Sequence, residues 1–119
     1  MITPTEIKQA VSRATGVSVL SIEGTRRDEI TARARHAVMF FMRNHIYEAG
    51  QPMSYSRIAT EFRGGNLNHG TVMHGVKRHA DRISVDKHFK SQSDEVRSYV
   101  IHKTMEEQQL TEKELYEWL

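Results

Sequence analysis

The chain has 119 residues, 38% hydrophobic and 27% charged, with a formal net charge of +2 and no cysteine. That length suits one domain with a modest core, and the composition is globular rather than disordered. Disulfides and thiolate metal sites are excluded, the longest apolar run (residues 37–42) is too short to cross a membrane, and no secretory leader is evident, so a reducing, cytoplasmic setting is expected.

The elements read as helices almost throughout. Thr3-Pro4-Thr5-Glu6 joins a capping box to a proline at the first helical position; Ile7, Ala10, Val11 and Ala14 form an apolar stripe, and Gly16 closes the helix. Residues 17–22 have a strand-like composition but no evident partner strand, so one helical turn ending at Gly24 is expected. A long helix is predicted from residue 28 to about residue 49, with acids at its start and Gly50 after its end. Its buried face holds Val38, Phe41, Met42 and Ile46, and Arg33, Arg35 and Arg43 are its basic residues. Ser54 is placed to cap a short helix over residues 54–62, with Ile58, Ala59 and Phe62 inward. A helix over residues 68–83 carries Val72, Val76, Ala80 and Ile83 on one side. Another runs from residue 86 to about 103, with Phe89, Val96, Tyr99 and Val100 inward. Thr111-Glu112-Lys113-Glu114 is a second capping box, predicting a separate terminal helix with Leu115, Trp118 and Leu119.

The expected architecture is therefore all-α, a single helical domain over residues 1–104 followed by an acidic helical tail, 105–119. Charge supports that division. Residues 104–119 carry five glutamates against one lysine, net −4, while residues 1–103 hold 16 basic and 10 acidic side chains, net +6. A basic body with an acidic tail points toward nucleic acid, although charge alone leaves a mixed solvated surface equally open. For the tail, a helix burying Trp118 against the core, a partner-binding helix and an electrostatic shield all remain open.

The stretch GGNLNHGTVMHGVKRH, residues 64–79, is both a turn and a basic helix start. No lysine follows its glycines as a nucleotide-phosphate loop requires. His69, His74 and His79 are five residues apart, about 500° around a helix, and lack the spacing of helical zinc ligands. No nucleophile–base–acid set stands out, so neither enzymatic activity nor a metal or other cofactor is expected. Two short amphipathic helices in tandem suit a helix-turn-helix better. Gly70, Thr71, His74 and Arg78 fall opposite the apolar side of the second helix, and Asn68, His69 and Thr71 at its start are short hydrogen-bonding groups suited to base edges. Spacing alone still allows an ordinary surface helix.

Asn68-His69-Gly70-Thr71-Val72-Met73-His74 resembles the signature of the C-terminal DNA-binding domain of the bacterial chromosomal replication initiator DnaA family, a glycine-containing turn followed by Asp-His-Thr-Thr-Val and a basic helix. The resemblance extends through Arg26-Arg27, Ala32-Arg33-Ala34-Arg35, Ala37-Val38-Met39 and Ile58-Ala59-Thr60-Glu61-Phe62, and covers roughly residues 5–100. It implies a Trp-repressor-like helix-turn-helix fold that binds double-stranded DNA. By resemblance, Arg27 falls at a minor-groove position, and Arg35 and His36 at DNA-contacting positions of the long helix. Ser54 and Ser56 fall where phosphates approach, and Asn68, His69 and Thr71 match the base-reading signature. His74 and Arg78 continue that face. The chain departs from the family with Asn at 68, Gly at 70, a turn about two residues longer and no ATPase module. The implied function is sequence-specific binding at a replication-origin-like or regulatory site. The alternative is a protein-interaction module that keeps the fold and docks a replication protein, with the tail as the contact.

Overall fold

Capping side chains set most helix boundaries in the computed structural model, which describes residues 2–65 and 67–117, the stretch 107–117 for its backbone only. Helix α1 (Pro4–Thr15) begins with the expected capping box: Thr3 Oγ1 accepts from the Glu6 N–H, and Glu6 accepts from the Thr3 N–H. It ends at Gly16, whose φ of 78° is open to glycine at little cost. Ser18 caps α2 (Val19–Glu23), which ends at Gly24 and buries Ile22 completely. Asp28 caps α3 (Glu29–His45) by accepting from the Thr31 N–H at 3.1 Å.

Helix α3 stops four residues short of the expected end. The chain instead forms a hairpin, β1 (Tyr47–Glu48) and β2 (Gln51–Pro52), pairing Tyr47 with Pro52 and Glu48 with Gln51. Ala49 and Gly50 have φ of 52° and 78°, the two left-handed positions of a type I′ turn. Gly50 is thus a hairpin glycine and not a helix stop. The flanking Ile46 and Met53 are both buried, which ties the hairpin to the core.

Ser54 caps α4 (Tyr55–Ala59), which also ends before the expected residue 62. The Thr60 hydroxyl donates to the Arg57 carbonyl at 2.6 Å, and Phe62 remains fully buried beyond the helix end. A 3-10 turn, Arg63–Gly65, follows, with φ of 50°, 64° and 91° at its three residues. Asn68 caps α5 (His69–Val85). Asp86 then joins two helices: its N–H bonds the Arg82 carbonyl, while its carboxylate accepts from the N–H groups of His88 and Phe89 at the start of α6 (Lys87–Glu117).

No separate terminal helix starts at Thr111. Helix α6 runs on unbroken through it, because residues 87–117 contain neither glycine nor proline and residues 105–110 are good helix formers. The acidic segment is the distal part of α6, and the helix passes residue 104 without interruption. The contacts expected of Leu115, Trp118 and Leu119 lie outside the described residues. Val38, Met39, Phe41 and Met42 of α3 form the centre of the core, with Ile7 and Val11 from α1, Ile58 from α4, Val72 from α5 and Val96 and Val100 from α6. The fold is all-α apart from the hairpin. Among the described residues no helix is long and apolar enough to cross a membrane.

Candidate nucleic-acid interface

Helix α5 divides into two sides. Val72, Gly75 and His79 are buried, whereas Asn68, His69, Gly70, Thr71, His74 and Arg78 are all exposed. Gly75 explains how closely α5 sits on α3: a Cβ there would lie 2.5 Å from Met39 Sδ and 3.0 Å from His36 Cδ2. The inward side is therefore centred on Gly75 and His79 as well as on the expected apolar residues, with Val76, Ala80 and Ile83 only partly buried. Lys77, which the spacing did not single out, is exposed and lies seven residues after Gly70, within roughly 20° of it around the helix.

Asn68 has two amide ends with different employment. Its Oδ1 accepts from the Gly70 N–H at 2.7 Å as the helix cap, and its Nδ2 donates to no acceptor among the described residues. A Cβ at residue 70 would lie 3.1 Å from that oxygen, so the small residue at 70 suits the asparagine cap at 68. Farther along, Arg78 Nε donates to His74 Nε2 at 3.0 Å, which links two of the exposed side chains.

The loop between α2 and α3 carries Arg26 and Arg27, both exposed; Arg26 pairs with Asp28 at 3.0 Å. Arg35 lies behind this loop, and it is not an exposed contact. It is 6% exposed, and its guanidinium donates to the carbonyls of Ser21, Ile22, Gly24 and Arg26 at 2.8–3.1 Å. Burial, reinforced by the nearby charge of Arg63, lowers its pKa from the ordinary arginine value. His36 is also drawn inward, accepting from Arg82 at 2.9 Å. Burial first, and then the charges of Arg82 and Arg78, hold its ring at a pKa of about 4.

Lys8, which no sequence motif marked, joins the end of α2 to the segment that follows α4. Its Nζ, on a residue 4% exposed, donates to Glu23 at 3.0 Å, to the Glu61 carboxylate at 3.0 Å and to the Glu61 carbonyl at 3.1 Å. Burial alone would raise the Glu61 pKa, but the bonds from Lys8 and Arg57 keep it below the ordinary value. In the sequence Lys8 stands at the edge of the apolar stripe of α1, three residues before Val11. Ser54 and Ser56 are exposed at the start of α4, and Ser54 Oγ is engaged as the cap.

The three spaced histidines part company. His69 and His74 are exposed, while His79 is buried against Phe40 and in contact with Ser93 Oγ at 3.2 Å. Burial, then the charge of Arg82, holds its pKa at about 4. Among the described residues no group of three or more metal-ligating side chains is assembled.

The family described as the bacterial DnaA protein helix-turn-helix matches residues 4–78, from the start of α1 into the exposed side of α5. The chain is also 35% identical over 89 residues to the chromosomal replication initiator protein DnaA of Spiroplasma citri. That alignment covers 75% of this chain and 18% of the relative. With a helix-turn-helix built from α4, the 3-10 turn and α5, and a family match over most of its length, the chain belongs to the bacterial DnaA helix-turn-helix family.

Proposed function

We propose that this protein binds double-stranded DNA sequence-specifically at a replication-origin-like or regulatory site, with the start of α5 in the major groove. Membership in a helix-turn-helix family supports DNA binding as such, and the division of α5 carries the finer reading. One side docks on α3 through Gly75, and the other offers Asn68, His69, Thr71, His74 and Arg78 to solvent. Asn68 Nδ2 donates to a base acceptor, and His69 and Thr71 read the neighbouring edges. Arg27 enters the adjacent minor groove. Ser54, Ser56, Lys77 and Arg78 hold phosphates, which position the helix without reading sequence. Arg35 and His36 act one step back, fixing the loop of Arg27 and the seat of α5. The relative's designation as a replication initiator supports a site of that kind, although the chain spans only 18% of it.

Selection from random duplex pools tests the reading. The wild-type chain should enrich a motif, and Asn68→Asp should change the preferred base at one position while keeping the helix cap. Loss of the Nδ2 contact should cost about 1–3 kcal/mol on the wild-type site. An unchanged motif removes Asn68 from base reading. A second reading, a module that docks a replication protein, draws on the exposed Ile101 and Met105 of α6 next to the acidic segment. It becomes the better one if no duplex is enriched.

A further inference from the structure

A cavity of about 270 Å³ lies between α1, α3, α5 and α6. Its walls are mainly apolar, with Val11 from α1, Ala37 and Phe41 from α3, and Phe89 and Val96 from α6. Two arginines line the same chamber, Arg33 from α3 and Arg82 from α5, together with the contacting pair His79 and Ser93. Positive charge there is incompletely matched. Arg33 pairs with Glu29, whose side chain is 75% exposed, and lies over the Phe89 ring at 4.7 Å, while its buried Nε has no hydrogen-bond partner among the described residues. Among the described residues Arg82 has no carboxylate partner and donates instead to His36 Nδ1. Burial, then the charge of Arg33, lowers the pKa of Arg82.

Two guanidiniums at an apolar chamber match an anion with an apolar body, because carboxylates accept planar, charge-assisted bonds from arginine. The volume is slightly below the roughly 300–1,000 Å³ of pockets for drug-sized ligands, which favours a compact body. We propose that the cavity binds a small aromatic monocarboxylate, its carboxylate held by Arg33 and Arg82 and its ring set against Phe41, Phe89 and Val96. Ser93 and His79 offer a polar contact to a ring substituent. Helix α5 supplies Arg82 and His79 to this chamber and His69, Thr71, His74 and Arg78 to the exposed side. Occupancy therefore braces α5 against α3 and α6, a consequence that rests on the DNA reading above, whereas ligand binding itself does not.

The test titrates 3-phenylpropionate into the full chain without DNA, followed by heteronuclear NMR, with 3-phenylpropionamide as the neutral control. Saturable shifts should centre on the cavity residues, and the amide should bind about tenfold more weakly or worse. Arg82→Met should weaken the acid by a similar factor, and Ala37→Leu, which fills the chamber, should abolish binding. The site is overturned by an absence of saturable shifts, by shifts centred elsewhere, or by equal affinity for acid and amide. The acid–amide comparison needs no variant, so a substitution that fails to fold leaves it intact. A parallel titration with the selected duplex should show about a fivefold change in DNA affinity on saturation. A saturable site with no such change overturns the coupling alone, and an absence of DNA binding counts against the DNA reading alone.

Discussion

The four carbonyls that Arg35 serves lie where α2 ends and the basic loop begins, so removing the guanidinium takes a hydrogen bond from each of these buried or part-buried acceptors. Arg35→Ala should cost about 3 kcal/mol or more in urea denaturation and weaken DNA binding through the loop of Arg27. Arg35→Lys should recover only part, since an ammonium lacks the planar fork. An unchanged denaturation midpoint with weakened DNA binding would make Arg35 a direct phosphate contact instead. His36 and His79 give a second prediction at this scale. Both rings stay neutral in the folded protein down to a pKa of about 4, from an ordinary value of 6.5, chiefly through burial. The unfolded chain therefore binds more protons between these values, and stability falls as pH drops through that window. Each histidine adds up to about 1.4 kcal/mol per pH unit to the slope. Denaturation followed from neutral pH to about pH 5 should show that loss, and His79→Gln should flatten it. A flat profile for the wild type would contradict the neutral, buried state of both rings.

Helix against helix, the approach of α5 to α3 depends on the missing side chain of Gly75. In an exposed helix, replacing glycine by alanine is stabilising by about 1 kcal/mol. Here the added methyl meets Met39 Sδ at 2.5 Å inside a filled core, so Gly75→Ala should destabilise by about 1–3 kcal/mol and shift α5. A rise in melting temperature would show that the two helices are not in such close contact. The hairpin shows the same dependence on packing. Residues 46–49 have no helix-breaking residue before Gly50, yet burial of Ile46 and Met53 draws the chain out of α3 and into a type I′ turn. Distal α6 gives the converse, since the backbone stays helical through residues 111–114 inside an unbroken run of helix formers.

For the whole molecule, the separation of charge should govern duplex affinity. The +6 of residues 1–103 should make duplex binding salt-dependent, each neutralised phosphate adding about −0.9 to the slope of log affinity against log salt. With several contacts the slope should be roughly −3 to −6, and a flat response would remove phosphate contact from the mechanism. Deleting residues 106–119 removes the same five glutamates and one lysine, net −4. Under the shield reading, the truncated chain binds random duplex more tightly at an unchanged melting temperature. A fall in melting temperature would instead favour the tail as a seal on the core, and no change in either would leave the partner-binding helix.

Local chemistry determined much of this protein. Thr3 and Ser54 cap the helices that the sequence expected them to cap, and Ser18, Asp28 and Asn68 cap three more, because a capping bond spans only two or three residues. The exposed side of α5 was legible for a related reason, since helical spacing separates Val72 from Thr71, His74 and Arg78 whatever lies opposite. Tertiary structure decided which charged residues turn inward. Arg35 has the composition of a surface contact, and only the return of the α2–α3 loop brings four carbonyls to its guanidinium. Lys8 is buried because Glu23 and Glu61, 15 and 53 residues away, converge on it. His79 is buried because α6 folds back to supply Ser93. A charged or polar side chain enters a core only where distant partners meet it. That meeting is a property of the folded chain, and no local pattern in the sequence encodes it.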